Sequence, residues 1–177
     1  AGAGAQVALA PRAGAREWAR SKLQPPRPRS DLLLRERLLS RIRARMPDTR
    51  RILASSPSGA GKTTLLASVV AALGLPFAWA TLDADDNDPE RFLQVLLAAL
   101  SRLAPPEGRT AGAAPFAEGA QGALEAALDA FAADDAPRSL LVLDDLHTLG
   151  EPAVFGLLAH LIEHLPPNLA LALATRH

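Results

Sequence analysis

From residue 51 onward, the apolar positions of the chain fall into two kinds of run. Arg51–Ser55, Pro76–Leu82, Ser139–Leu143 and Leu169–Ala174 are short and almost unbroken, the pattern of strands buried on both faces. Between them apolar residues recur every three or four positions, which predicts helices. One follows the first strand and stops at Gly74, a natural C-cap. The next opens with Asp88-Pro89-Glu90, which supplies a capping carboxylate, a proline at the first helical position and an acid in the first turn; it packs Phe92, Leu93, Leu96, Leu97 and Leu100. A third spans about Ala120–Ala132. A fourth starts at Glu151-Pro152, carries Val154, Leu157, Leu158, Leu161 and Leu165 on its packed face, and stops at Pro166-Pro167. Strands alternating with helices in this way predict an α/β fold, a parallel sheet covered by helices on both faces.

Upstream of residue 51 the pattern changes. Residues 1–15 lack apolar periodicity and read as flexible, Arg16–Leu23 has the makings of a short helix, and the prolines of Gln24–Arg29 force an extended path. Ser30 or Asp31 then caps a helix reaching Met46, with positions 34, 38, 42 and 46 on one apolar face and arginines on the other. Pro105–Gly119 is rich in Gly, Ala and Pro and reads as a surface loop. The expected organisation is a leader at 1–21, a basic segment and helix at 22–50, and a core at 51–177.

Composition sharpens this picture in three ways. Only 4 % of residues are aromatic although 49 % are hydrophobic, so the core is built of Ala, Leu and Val, which suits helices on a narrow sheet. Cysteine is absent, which excludes disulfides and thiolate metal sites and fits a reducing cytoplasm. No apolar run approaches the length of a membrane span, and Ala1–Ala10 lacks the basic start of a signal peptide. The net charge of zero conceals a division: residues 1–51 hold 13 Lys/Arg against 4 Asp/Glu, and residues 52–177 hold 6 against 15. With Trp18 the only aromatic in the basic part, this basic leader is expected to lie against the acidic body or to solvate a helix face rather than to bind nucleic acid.

The chemistry concentrates after the first strand, at Ser56-Pro57-Ser58-Gly59-Ala60-Gly61-Lys62-Thr63-Thr64. A strand, a glycine turn and Lys-Thr opening an apolar helix form the grammar of a phosphate-binding loop, G-x-x-x-x-G-K-[ST], with Ser56 in place of the first glycine. Glycines at 59 and 61 let successive backbone N–H groups of Ser58–Thr64 turn toward phosphate oxygens, beside the positive end of a helix. Lys62 would reach the β- and γ-phosphates, and the Thr63 hydroxyl would hold Mg²⁺. A second element supports this reading. In Leu140–Asp145 four apolar residues end in two carboxylates at the C-terminal end of a strand, where parallel sheets place ligands. Asp144 would orient Mg²⁺ and Asp145 would polarise an attacking water. Together the two motifs specify a P-loop NTPase. Arg176, leaving the last strand at the same edge, is a candidate γ-phosphate sensor. His160-Leu161-Ile162-Glu163-His164 spells the zinc-protease pattern H-x-x-E-H, but the thirteen residues beyond it hold no Asp or Glu to complete the set, so no zinc is expected.

These motifs, with Lys22–Leu39, Ala78–Leu93 (A-W-A-T-L-D-A-D-D-N-D-P-E-R-F-L) and the stretch Leu165–Arg176 (L-P-P-N-L-A-L-A-L-A-T-R), resemble the N-terminal ATPase domain of the large ATP-binding LuxR-type transcriptional regulators, which belong to the signal-transduction ATPases with numerous domains. The resemblance runs from about Lys22 to Arg176. It implies an ATP- and Mg²⁺-dependent switch that self-associates when open and is reset by slow hydrolysis, in the cytoplasm, with DNA contact made by a separate C-terminal domain. It also implies Lys62, Thr63 and Asp144 as phosphate and Mg²⁺ residues, Asp145 as base, Arg176 as sensor, and Arg35 near the adenine. Asp85–Asp88 is diagnostic of the family, with no chemical role evident from the residues beyond capping the next helix. Against the family the sequence ends after the fourth core strand, so an exposed sheet edge beside Leu53 and weak hydrolysis are expected. Two other functions fit the loop. A P-loop small-molecule kinase would need an arginine-rich lid, but residues 146–170 contain no Arg or Lys. A non-hydrolysing interaction module would hold nucleotide as a structural ligand.

Overall fold

The computed structural model describes residues 21–26, 36–46, 48–104, 119–129, 131–132 and 136–176. Helix α1 (Glu36–Arg45) leads into strand β1 (Arg51–Ser55), and α2 (Lys62–Leu73) into β2 (Phe77–Thr81). Helices α3 (Pro89–Leu103) and α4 (Gly119–Asp129) precede β3 (Ser139–Asp144), and α5 (Pro152–Glu163) precedes β4 (Leu169–Thr175). All strand pairs are parallel, in the order β1-β4-β3-β2. The last strand is therefore inserted between the first and third, a crossover that the linear pattern does not reveal.

The apolar alternation explains the layers. Successive side chains of a strand point to opposite faces, and Leu141, Leu143, Leu169 and Leu171 join Ala78 and Ala80 on one face, under α3, α4 and α5. Trp79, Leu140, Val142, Ala170, Ala172 and Ala174 point to the other, with Leu66 and Val70 of α2 and Met46 beyond α1. All six positions of β3 are buried. β1 is different: its positions alternate between exposed and half-buried, Leu53 is 66 % exposed, and among the described residues no strand pairs with its outer side.

Boundaries move from those the pattern suggests where local chemistry intervenes. β2 starts at Phe77 because Pro76 has no N–H to give the ladder, although its carbonyl still accepts from Leu140. α4 ends at Asp129, and Phe131 and Ala132 continue as tighter turns, donating to Leu128 and Asp129 three residues back. Gly74 caps α2 at φ 63°, ψ 18°, in the left-handed region glycine adopts without penalty. Residues 105–118 of the expected loop, the leader through Arg20, and all of Arg27–Arg35, with the expected Ser30 or Asp31 cap, lie outside the described residues.

Part of the basic N-terminal charge is spent on helix ends. Arg43 donates to Ala72 O at 3.1 Å at the end of α2, while Arg50 and Arg51 donate to Leu165 O at 2.7 Å and Ile162 O at 2.8 Å at the end of α5. Last-turn carbonyls have no intrahelical donor and carry the negative end of the helix dipole, so a guanidinium there satisfies both. Lys22 goes deeper. Its Nζ lies 2.6 Å from Asp86 Oδ2 and 2.8 Å from Asp83 Oδ2, and Arg91 Nε lies 3.6 Å from Asp86 Oδ1. Asp86 is fully buried, so the acidic turn is a clasp: a short 3₁₀ turn, Ala84–Asn87, closed by reciprocal Asp83 and Asp86 caps.

Candidate functional site

β1 delivers the glycine loop to the C-terminal edge of the sheet. Gly59 and Gly61 have φ of 77° and 79°, so a β-carbon at either would be strained whatever the space around it. Gly61 caps α2 without any side-chain hydrogen bond, which leaves the first-turn amides directed outward with no intrahelical acceptor. Ser58 is exposed, Ala60 and Thr64 are half-buried, and the Thr64 carbonyl accepts from Ser68 Oγ at 2.9 Å. Lys62 folds back over the loop, donating to Ser56 O at 2.7 Å and Pro57 O at 2.9 Å. Ser56 thus supplies its carbonyl to the lysine, a contact that does not depend on the side chain at this position.

Thr63, in the first turn of α2, lies close enough to the end of β3 for its hydroxyl to stabilise the Asp144 carboxylate. Asp144 is 2 % exposed and accepts from the Asp145 amide at 2.9 Å. Burial pushes its carboxyl above the usual carboxylate range, and the neighbouring charge of Asp145 adds to the rise; Thr63, the Asp145 amide and Lys62 oppose it. A buried carboxylate held up in this way gains from a cation. The hydroxyl and carboxylate are hard oxygen donors of the kind Mg²⁺ selects.

Asp145 is the single non-glycine residue with positive φ among the described residues, at φ 61°, ψ 37°. That conformation turns its side chain toward the end of β4, where Arg176 Nη2 lies 4.0 Å from Oδ1, and His147 Nδ1 approaches the same oxygen at 3.6 Å. The strand order explains the meeting: Ser55 pairs with Thr175 and Leu143 with Leu173, so Arg176 emerges between the strands that carry the loop and the two carboxylates. Arg35 falls outside the described residues.

Two contributors are not evident from motif reading. Asn87 donates to Thr148 O at 2.8 Å and accepts from the amides of Gly150 at 2.6 Å and Glu151 at 3.1 Å. It therefore fixes the loop behind Asp145, whose carbonyl in turn accepts from Thr148 N and Oγ1. A cavity of about 340 Å³ adjoins the glycine loop, walled by Leu38 and Ile42 of α1, Ile52 and Leu53 of β1, and Leu65 and Val69 of α2. The apolar face at 38 and 42 is legible in the sequence, but nothing there says that it faces the loop. H-x-x-E-H also looks different in three dimensions: an acid does accompany His160 and His164, but it is Glu125, contributed upstream by α4.

A parallel sheet in this strand order, with a glycine loop on one strand and paired carboxylates on the next but one, defines an α/β P-loop ATPase fold. The chain belongs to the AAA domain family, whose profile matches residues 46–172. It is 34 % identical over 161 residues to the HTH-type transcriptional regulator MalT of Cronobacter sakazakii, 32 % over 160 residues to that of Serratia proteamaculans, and 31 % over 161 residues to that of Klebsiella pneumoniae. These alignments cover 88–89 % of the chain, which spans 17 % of the length of each relative. Among solved structures it is similar to a Walker-type ATPase of Pyrococcus abyssi (TM-score 0.54, 16 % identity, 86 % of this chain and 48 % of that one). It also resembles a chain from the Drosophila ORC bound to DNA (TM-score 0.56, 17 % identity, 100 % of this chain and 48 % of that one). Among the described residues no helix is long and apolar enough to cross a membrane.

Proposed function

We propose that residues 51–177, together with the upstream segment 22–50, form the ATP-binding switch domain of a bacterial LuxR-type transcription regulator, working in the cytoplasm and hydrolysing ATP slowly. The observation that supports this reading is the meeting at one sheet edge of the glycine loop, with Gly59 and Gly61 at positive φ and Lys62 folded over it, and of buried Asp144 at the end of β3. In this reading the amides of Ser58–Thr64 and Lys62 hold the phosphates, and Thr63 and Asp144 hold Mg²⁺. When bound, that ion offsets phosphate charge and orients the terminal phosphate. Asp145 positions the attacking water, and Arg176 moves from Asp145 to the γ-phosphate, which makes the pair a sensor of nucleotide state. The cavity beside the loop takes the nucleoside against Leu38 and Ile42, with Arg35 three residues before Leu38 in the sequence.

Self-association in the ATP state and DNA contact through a further domain belong to the same proposal, the latter supported by the similarity to HTH-type transcriptional regulators. The test is nucleotide affinity and phosphate release, with Lys62→Ala as control. The parent is expected to bind ATP with Mg²⁺ at least about tenfold more tightly than the variant, the loss of one charge-assisted contact. Equal affinity would overturn the reading, and tight binding with no turnover in any length of chain would establish the non-hydrolysing interaction module instead.

A further inference from the structure

At the end of the sheet remote from the glycine loop, two helices bring together a set of side chains that the nucleotide site does not use. α5 leaves the carboxylate edge and runs back along the sheet for 12 residues, about 18 Å at 1.5 Å per residue, so its last turn lies far from Thr63. His160 and His164 share one face of that turn, their rings stacked with centroids 4.1 Å apart. Glu125 of α4 faces them, and one nitrogen or oxygen from each of the three side chains lies within 4.8 Å of the others. We propose that Glu125, His160 and His164 form a zinc site that clamps α4 to α5.

Three features support a metal over a plain ion pair. First, His160 Nε2 and Glu125 Oε1 approach to 2.9 Å, yet the nitrogen is buried without a hydrogen bond of acceptable geometry. Two ligand atoms that converge on one point, rather than pointing at each other, give this combination. Second, His164 Nδ1 lies 3.0 Å from the His160 carbonyl, which can only accept. Nδ1 therefore carries the proton in the neutral ring, and Nε2 is left as a bare lone pair, the tautomer that a backbone carbonyl imposes on metal-binding histidines. Third, two imidazoles at i and i+4 with one carboxylate is an established donor set for Zn²⁺, with bonds of about 2.0–2.2 Å and a fourth position left for water. Four-coordinate bonds of this length set ligand atoms roughly 3.4 Å apart, so atoms now up to 4.8 Å apart must close by about 1.5 Å at most, within the reach of side-chain torsions on two exposed residues.

The site would act as a fastener rather than a catalytic centre. α4 resumes the chain after residues 105–118 and packs chiefly against α3 and α5. A shared ion would fix its register against α5 without touching the nucleotide edge, so the proposal stands apart from the ATP reading.

The experiment is zinc titration of the untagged, chelator-treated chain without nucleotide, followed by calorimetry, metal content after gel filtration and thermal melting. One zinc per chain is expected, with a melting temperature that rises with zinc concentration, and Co²⁺ in its place should give the visible absorption of a four-coordinate site. Glu125→Gln and His164→Gln should each weaken zinc binding by more than the roughly 10–100-fold that loss of an outer partner costs. Both side chains are exposed, so the metal-free variants should melt with the parent, and Glu163→Gln, outside the cluster, should bind zinc as the parent does. Substoichiometric uptake, or stoichiometric uptake that none of the ligand substitutions weakens, would overturn the proposal and leave Glu125 and His160 as an ion pair. If a variant fails to fold, the Co²⁺ spectrum of the parent decides alone: octahedral absorption refutes the site.

Discussion

Arg176 Nη2 and Asp145 Oδ1 face each other at 4.0 Å across the C-terminal edge of the sheet. One group is the proposed sensor and the other the proposed base, so without nucleotide each is occupied by the other. At this distance and with Arg176 46 % exposed, the pair contributes little to stability, and its separation is cheap. Arg176→Ala should therefore leave the melting temperature and ATP affinity nearly unchanged while slowing phosphate release by about 100-fold, the cost of removing one donor to transition-state charge. Single-turnover hydrolysis, measured beside equilibrium binding, separates the two effects.

Asp144 yields a prediction with the opposite sign for stability. Its folded-state carboxyl is raised above the model-peptide value of 3.8, so the folded protein holds this proton more tightly than the unfolded chain. The contribution is fully favourable below pH 3.8 and is lost as pH rises through the raised folded value. At neutral pH, ionised Asp144 is thus a cost. Asp144→Asn, whose side-chain oxygen can still accept from the Asp145 amide, should raise the melting temperature of the nucleotide-free chain, by roughly 2–4 °C for each kcal/mol relieved. The same variant should lose the additional stabilisation that Mg²⁺ gives with ATP. Melting curves with and without MgATP test both halves.

Asn87 is expected to behave as a positioning residue. Asn87→Ala removes one donor and a doubly used acceptor, at a cost of about 1–3 kcal/mol. Because the loop it fixes ends in Asp145, turnover should fall more than nucleotide affinity does. Urea unfolding gives the first quantity, and comparing kcat with KM gives the second.

Lys22 tests the clasp. Burial pushes the Asp83 carboxyl up, but the hydrogen bond and charge of Lys22, with the Asp85 amide and Arg91, hold it below the usual range. Its stabilising share is present above pH 3.8 and is lost as pH falls through the depressed value. Lys22→Ala also strips fully buried Asp86 of its closest cation and should cost about 3 kcal/mol. Replacing Asp86 as well, with Asn, should recover part of that loss, which a double-mutant cycle in urea would measure.

How much of this was legible depended on whether the cause was local. Gly74, Asp88-Pro89 and the unbroken apolar strands act within a few residues, and the helices and parallel sheet follow from them. The glycine loop and Asp144-Asp145 carry their chemistry in their own order along the chain. The insertion of β4 between β1 and β3 does not, because a crossover leaves no periodic trace; without it, the contact of Arg176 with Asp145 is invisible. Asp85–Asp88 shows no role in the sequence beyond capping the next helix for the same reason. Its partners, Lys22 and the amides of Gly150 and Glu151, lie more than sixty positions away. The acid beside His160 leaves no trace in the H-x-x-E-H pattern, because Glu125 lies upstream on α4.

The open side of β1 bears on all of this. Among the described residues β1 pairs with no strand but β4 and leaves Leu53 in solvent, so it is tethered along one rail, yet it carries the loop at the centre of the site. A strand held from one side opens locally at lower free energy than one held from both. Any ligand that grips the loop must first spend binding energy on stilling β1, and whatever covers that rail would strengthen the grip on phosphate without touching it.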